Sequence, residues 1–433
     1  MKQLKKLGII YVSLIAIFII AMVGTYMIPN KRINWHVSES LNQLKIEGVY
    51  QRLFFDTPAA QLDNFTDSWM LNLAVSADGK EPLKSAMKNP HRSTLSYSKG
   101  EIDKVEDLEG VMTNKDYEVK SYSRYWHGYL TILRPLLVLF SYTEIRYINM
   151  FVLGLLFIIT NMLVKKKLGM GIMISFFASI MMTMFIIVPM SLQFSSLFYI
   201  TFISMIILLY YDKQIKEHKL GIYIFFIIGS ITSFLDLLTA PVMTLGIPLV
   251  TYILLCQKNN EIKINPIINT IEIIKMSIVW ALGYGLTWAT KWVVASIILK
   301  ENVVSNALNQ ILARTSDTSW DIALTAKAVI EKNEDIIYTD FILKFIPILI
   351  IFWLIGIIFY RKEKQEILNI LPLFLIAIIP YAWYTVLKNH SYIHYWFTYR
   401  SLAVTTFSVL AFFVYSIDYT KIVYKLRELK TIK

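Results

Sequence analysis

The sequence predicts an all-α polytopic membrane protein with about ten transmembrane helices and a large first extracytoplasmic loop. Three observations lead there. Hydrophobic residues make up 56% of the 433 positions and charged residues only 17%, against about 25% charged in an ordinary globular chain. Apolar runs of ~20 residues recur along the chain. Basic clusters then fall at alternate ends of those runs, as they do in cytoplasmic loops. The net charge of +12 follows from those clusters and needs no nucleic acid partner. The single cysteine, Cys256, excludes an intramolecular disulfide and a cysteine-based metal site.

Lys2, Lys5 and Lys6 precede an apolar run over residues 8–28. The run exceeds a ~7–15-residue signal-peptide core, and no small-x-small cleavage site follows. Residues 1–28 therefore read as a signal anchor with its N-terminus in the cytoplasm. Further spans are predicted near 147–164, 170–188, 192–211, 220–237, 239–256, 270–297, 341–360, 368–387 and 400–418. Ten spans place both termini inside the plasma membrane. Lys165, Lys166 and Lys167, then Lys213, Lys216 and Lys219, Lys258 and Lys263, Arg361, Lys362 and Lys364, and the tail from residue 421 all fall inside on that count. Residues 129–140 are apolar for only half a span and contain Arg134-Pro135, which reads as a re-entrant or interfacial helix.

The chain accordingly divides into the anchor (1–28), a first extracytoplasmic loop (29–128), a transmembrane bundle (129–297), a second extracytoplasmic loop (298–340) and C-terminal helices with a basic cytoplasmic tail (341–433). Early in the first loop, Ser38 or Ser40 is expected to cap an amphipathic helix carrying Leu41, Leu44 and Val49. Its later part, residues 84–120, reads as a small solvated subdomain. The second loop carries Arg314, Asp317, Asp321 and a charged helical stretch over 325–335.

This topology gathers the unusual polar residues on one side. Asp56, Asp63 and Asp67 lie in the first loop, and Arg124, His127 and Arg134 precede the second span. Asp236 ends the fifth span, Arg314 lies in the second loop, and Lys388, His390, His394 and Arg400 lie between spans nine and ten. Ionisable groups at a membrane rim are costly and usually face a cavity or substrate path. Asp63 and Asp67, spaced i, i+4, share a helix face, and paired carboxylates can raise one pKa to make a general base. The plainer alternative is that Asp63 caps the helix that follows. His390 and His394 have a spacing that can ligate a metal, yet no glutamate completes HExxH and no third ligand is fixed, so neither metal nor cofactor is expected. Beside Lys388 and Arg400, they suit a phosphate or diphosphate. Interfacial snorkelling accounts for Lys388 and Arg134 but not for two histidines. Asp236 is either a turn marker or a substrate contact.

No phosphate-binding glycine loop or nucleophile elbow occurs in any cytoplasmic segment. Chemistry on the outer face must therefore draw its activated group from a lipid carrier. In layout, the chain resembles the GT-C superfamily of polyprenyl-phosphate-dependent glycosyltransferases: one span, an Asp-bearing outer loop, then a many-span bundle with basic residues at its rim. The resemblance implies an inverting transfer. A polyprenyl-phosphate-linked sugar would be the donor, and a hydroxyl of an envelope glycan or glycolipid the acceptor. On that reading Asp63 is the base, Asp67 orients it, and Arg124, His127, Asp236, Arg314, Lys388, His390, His394 and Arg400 surround the substrates and the carrier phosphate. The acidic pair lies further from the first span than the family's juxtamembrane acidic motif. A flippase for lipid-linked glycans and a polysaccharide polymerase or ligase are the alternatives. A flippase is disfavoured by the absence of related halves.

Overall fold

The computed structural model describes residues 2–77, 79–94, 103–113, 116–258, 265–319, 322–422 and 425. Lys263, Asp321 and most of the basic tail lie outside this set. Among the described residues, seven helices are long and apolar enough to cross a membrane: Gln3–Met27, Tyr142–Leu168, Leu192–Tyr210, Pro266–Leu299, Ile342–Tyr360, Lys364–Val386 and Tyr395–Tyr415. The chain is an all-α polytopic membrane protein.

The long helix α1 (Lys2–Met27) leads into α2 (Asn30–Glu47) through Pro29. Because α2 starts at Asn30, Ser38 and Ser40 sit inside it and cap nothing, contrary to expectation. The Ser40 hydroxyl instead donates to His36 O at 2.8 Å and accepts from the Tyr142 amide at 2.9 Å, which docks α2 against the next long helix. A polar subdomain follows, built from α3 (Asn64–Val75), α4 (Pro82–Lys88), α5 (Lys104–Met112) and an antiparallel ladder of β1 (His91–Thr94) with β2 (Tyr117–Lys120), in which His91 faces Lys120.

The segment expected to be half a span is α6 (Leu130–Leu139), with Pro135 inside it. Next come α7 (Tyr142–Leu168) and α8 (Met170–Met181), then α9 (Leu192–Tyr210), α10 (Asp212–Glu217), α11 (Gly221–Leu235), α12 (Met243–Lys258) and α13 (Pro266–Leu299). A Ser141/Glu144 capping box fixes the start of α7, and Lys165, Lys166 and Lys167 close its last turn, where cations suit the helix dipole. Three predicted spans are cut short: α8, α11 and α12 have 12, 15 and 16 residues, below the ~20 of a perpendicular crossing. Beyond α8, the chain runs through irregular turns to a 3-10 turn over Val188–Met190 that contains Pro189. The helices α11 and α13 cross closely. A β-carbon on Gly229 would strike Trp280 O, and one on Gly283 would strike Phe226 O, the small-residue contact that lets membrane helices approach.

The second polar segment holds α14 (Val303–Arg314) and α15 (Ala326–Ile337), the latter capped by Thr325. The apolar α16 (Asp340–Tyr360) follows. The span predicted at 368–387 lies within the membrane-length stretch Lys364–Val386, which Pro372 and Pro380 segment into α17 (Lys364–Ile370), α18 (Leu373–Ala377) and α19 (Ile379–Val386). The chain ends with α20 (Lys388–Ile393), α21 (Tyr395–Thr398), a 3-10 turn over Tyr399–Leu402 and α22 (Ala403–Tyr415).

Two large apolar cores hold the assembly. One lies within the bundle, around Phe157, Phe176, Phe202 and Phe407. The other joins the polar subdomain to α1 and α6 through Met22, Tyr26, Leu71, Trp126 and Leu133. Buried cations reinforce the second. Arg134 does not snorkel to a surface: it is fully buried and donates to the carbonyls of Thr25 (3.0 Å), Ile28 (2.5 Å) and Ala74. Lys291 of α13, also fully buried, donates to the carbonyls of Ala86 at 2.8 Å and Met87 at 3.0 Å. These bonds tie the subdomain rigidly to the helix ends beneath it.

Candidate functional site

A cavity of about 570 Å³ lies where the polar subdomain meets the helix ends. Asp63, Thr66 and Trp69 line one wall, with His127 and Tyr129 beside them; His390, His394 and Trp396 line another. Arg314 and Lys104 bring positive charge to it. The structure thus gathers five sequence-predicted residues, Asp63, His127, Arg314, His390 and His394, around one space. It does not bring the other five to that wall.

Asp63 is the N-cap of α3. One carboxylate oxygen accepts from the Thr66 amide at 3.0 Å and the other from the Thr66 hydroxyl at 3.0 Å. The capping role and a place in the cavity therefore coexist. Burial pushes its pKa up to about 7; the nearby Asp67 carboxylate adds to the rise, and the hydrogen bonds to Thr66 and the Arg400 guanidinium oppose it. A carboxylate poised near neutral pH and facing a cavity is a competent general base. Asp67, one turn on, points elsewhere. It accepts from the Tyr142 hydroxyl (2.5 Å), the Ser191 hydroxyl (3.1 Å) and the amides of Leu192 (2.8 Å) and Gln193 (3.2 Å). Those amides are at the start of α9, where a carboxylate is favoured by the helix dipole. Four donors leave Asp67 occupied, so it anchors α9 against α3.

The histidines have distinct settings. Nη1 of Arg314 lies 2.6 Å from His390 Nδ1, and His390 Nε2 lies 2.8 Å from Leu238 O. Arginine can only donate and a carbonyl can only accept, so His390 is neutral with its proton on Nε2. Burial and the Arg314 cation hold its pKa well below the usual histidine range, in agreement. His394 stacks on Phe397 with centroids 5.1 Å apart and 14° between planes. Its Nδ1 has no partner, and burial followed by the Arg314 charge lowers its pKa to about 3. His127 hydrogen-bonds Tyr129 through Nδ1 at 3.0 Å, while its Nε2 is buried and unpartnered. Burial keeps it neutral too. Its φ of 53° is uncommon for a residue with a side chain, and the adjoining Gly128 touches Phe234 so closely that no β-carbon fits. The close approach of Gly128 to Phe234 sets the backbone that presents His127.

The remaining candidates lie outside the cavity wall. Asp236 accepts from the Thr239 amide and closes the turn after α11. Lys388 pairs with Asp317 at 2.6 Å. Arg124 stacks on Tyr122, 4.5 Å from its ring centroid, and donates to Asn306 Oδ1 at 3.4 Å. Arg400 is fully buried over the Phe194 ring, with Nη1 donating to Trp396 O at 3.0 Å. Its Nε and Nη2 have no partner. Lys104, by contrast, lines the cavity unanticipated. It packs 4.6 Å from the Trp69 ring centroid and 3.3 Å from Asp107. Its acidic neighbours, in KVEDLE, read as a solvated helix face, so no spacing marked it.

A second, apolar cavity of about 600 Å³ runs between α6, α7, α9 and α11, lined by residues such as Ile132, Leu136, Ile148, Ile203 and Ile227. Met70 and Tyr129 line both spaces, so an aliphatic groove adjoins the polar one. Among the described residues, no group of three or more His, Cys, Asp or Glu side chains is arranged to hold a metal. No family model matches the chain, and neither a curated protein nor a solved structure matches it.

Proposed function

We propose that the protein is a membrane glycosyltransferase that moves a sugar from a polyprenyl-phosphate carrier to a hydroxyl of an envelope glycan on the extracytoplasmic face. One observation carries this reading: a polar cavity holding a near-neutral carboxylate and two cations adjoins an aliphatic groove through Met70 and Tyr129. A ligand filling both has an anionic head and a long apolar tail. In this reading the chain makes ten crossings in a GT-C-like arrangement, with α8, α11 and α12 as its shorter members, both termini in the cytoplasm and the cavity outside.

Asp63 takes the proton of the acceptor hydroxyl as its oxygen attacks the anomeric carbon. The bond from that carbon to the phosphate oxygen breaks, and its electron pair leaves with the lipid phosphate. Arg314 and Lys104 stabilise the charge that develops there. His127 and His394, both neutral, each leave a ring nitrogen unpartnered for substrate hydroxyls or phosphate oxygens. Arg400 acts from behind the wall on the ionisation of Asp63. Transfer is favoured over transport because the cavity is lined from one end of the long helices.

The test is envelope glycan composition in a strain lacking the gene, complemented with wild type or Asp63→Asn. Loss of a sugar that wild type restores and Asp63→Asn does not is the expected result. Full restoration by Asp63→Asn at normal expression removes Asp63 as the base.

A further inference from the structure

A third space adjoins the polar cavity and shares no lining residue with the aliphatic groove. It encloses about 240 Å³ between α13, α14 and α19, and Tyr125 and Arg314 line both it and the cavity. Its wall differs in kind from the groove. Tyr284, Trp288 and Trp292 fall at i, i+4 and i+8 on α13 and so share one face. Trp383 and Tyr125 complete an aromatic enclosure. Trp288 meets Tyr125 edge-on at 5.1 Å and 70°, and Tyr284 meets Trp383 at 6.4 Å and 77°.

Polar atoms without partners accompany these rings. Tyr284 Oη, Arg124 Nε and Arg314 Nε are buried and make no hydrogen bond, and all three residues line the pocket. Buried polar atoms are nearly always satisfied, so these three lining residues carry hydrogen-bonding capacity that a ligand in the pocket can meet. An acyl chain would leave all three unmet. A sugar ring meets both demands, since its C–H face lies on an indole and its hydroxyls reach phenol and guanidinium groups.

We propose that this aromatic pocket is a saccharide subsite. Its role as the site that presents the acceptor ring to the neighbouring cavity rests on the transfer reading above. Its capacity to bind a sugar does not.

The experiment is saturation-transfer NMR on the full chain in lipid nanodiscs, with methyl glycosides of glucose, galactose and N-acetylglucosamine as probes. At least one glycoside should receive saturation on its ring protons. Trp288→Leu should weaken that binding roughly tenfold, the equivalent of one lost aromatic contact, while Trp288→Phe retains most of it. Trp383→Leu serves if Trp288→Leu does not fold. Absence of saturation from every glycoside, as a pocket filled by lipid would give, overturns the proposal. So does unchanged binding in both leucine variants. If a glycoside binds while the deletion strain keeps all its envelope sugars, the transfer reading fails and the subsite stands. If the sugar is lost and no glycoside binds, the subsite fails alone.

Discussion

Two regions of this molecule bury cations, and they treat them in opposite ways. Where the polar subdomain joins α1, α6 and α13, Arg134 and Lys291 spend their donors on main-chain carbonyls, and Arg146 pairs with Glu47 at 2.7 Å with only its Nε left over. Around the polar cavity, Arg400 is fully buried and Arg314 partly so, and each keeps a buried nitrogen atom unpartnered. A buried charge that is fully paired holds structure together. One left incomplete, beside a cavity, is poised for a ligand. Burial alone thus does not mark a functional residue, nor does an unpartnered nitrogen, since Arg146 Nε is one and lines neither cavity; unspent hydrogen-bonding capacity at a cavity does.

The sharpest test of that distinction compares Asp63→Asn with Glu47→Ala. Asp63→Asn should remove about 10²–10⁴-fold of transfer activity, the typical worth of a general base, with no loss of thermal stability. Glu47→Ala should do the reverse, costing ~3–5 kcal/mol of stability because it leaves Arg146 buried without its counter-ion. Thermal unfolding of the purified protein and transfer by its membranes, measured on both variants, separate the two. A stable, inactive Glu47→Ala protein would erase the boundary between the regions.

Next in size is Arg314→Gln. It removes a cation from the cavity and the donor that His390 accepts from, so transfer should fall by roughly 10–100-fold, in line with ~1.5–3 kcal/mol for a charged hydrogen bond. The loss should appear mainly as weaker donor binding in a titration with the lipid substrate. Smaller still is Tyr142→Phe. It deprives Asp67 of one of its four donors and should cost ~1–3 kcal/mol of stability, while transfer per folded molecule stays near wild type. A large drop in transfer with stability intact would return Asp67 to the catalytic set.

The membrane class and the positions of most helices were legible because hydropathy and charge act locally along the chain. The ends of helices were less so. Prolines segmented the predicted 368–387 span without ending it, and Ser38 and Ser40 fell inside a helix that begins earlier at Asn30. Within the candidate site, the sequence could bring Asp63 and Asp67 onto one helix but could not tell which would meet a cavity. That choice depends on α9, whose N-terminus lies 125 residues further on and captures Asp67. Lys104 was hidden for a similar reason: besides pairing with its neighbour Asp107, it packs over Trp69 of another helix.

The most diagnostic test is a pH series, because one group should govern two pH dependences of opposite sense. Asp63 titrates near 7 in the folded chain and near its ordinary 3.8 when unfolded. Acting as a base, it must be ionised, so transfer should rise with pH through about 7 and level off above. Between those two values the folded protein holds a proton that the unfolded chain has released. Stability must therefore fall as pH rises across that window, by up to about 1.4 kcal/mol per unit. Asparagine carries no such proton, so Asp63→Asn should flatten this part of the stability curve. Thermal unfolding of wild type and Asp63→Asn between about pH 4 and 8, set beside the transfer profile, checks both. A wild-type curve that runs parallel to that of Asp63→Asn would mean that Asp63 is ionised throughout, bound to Thr66 as a cap and nothing more.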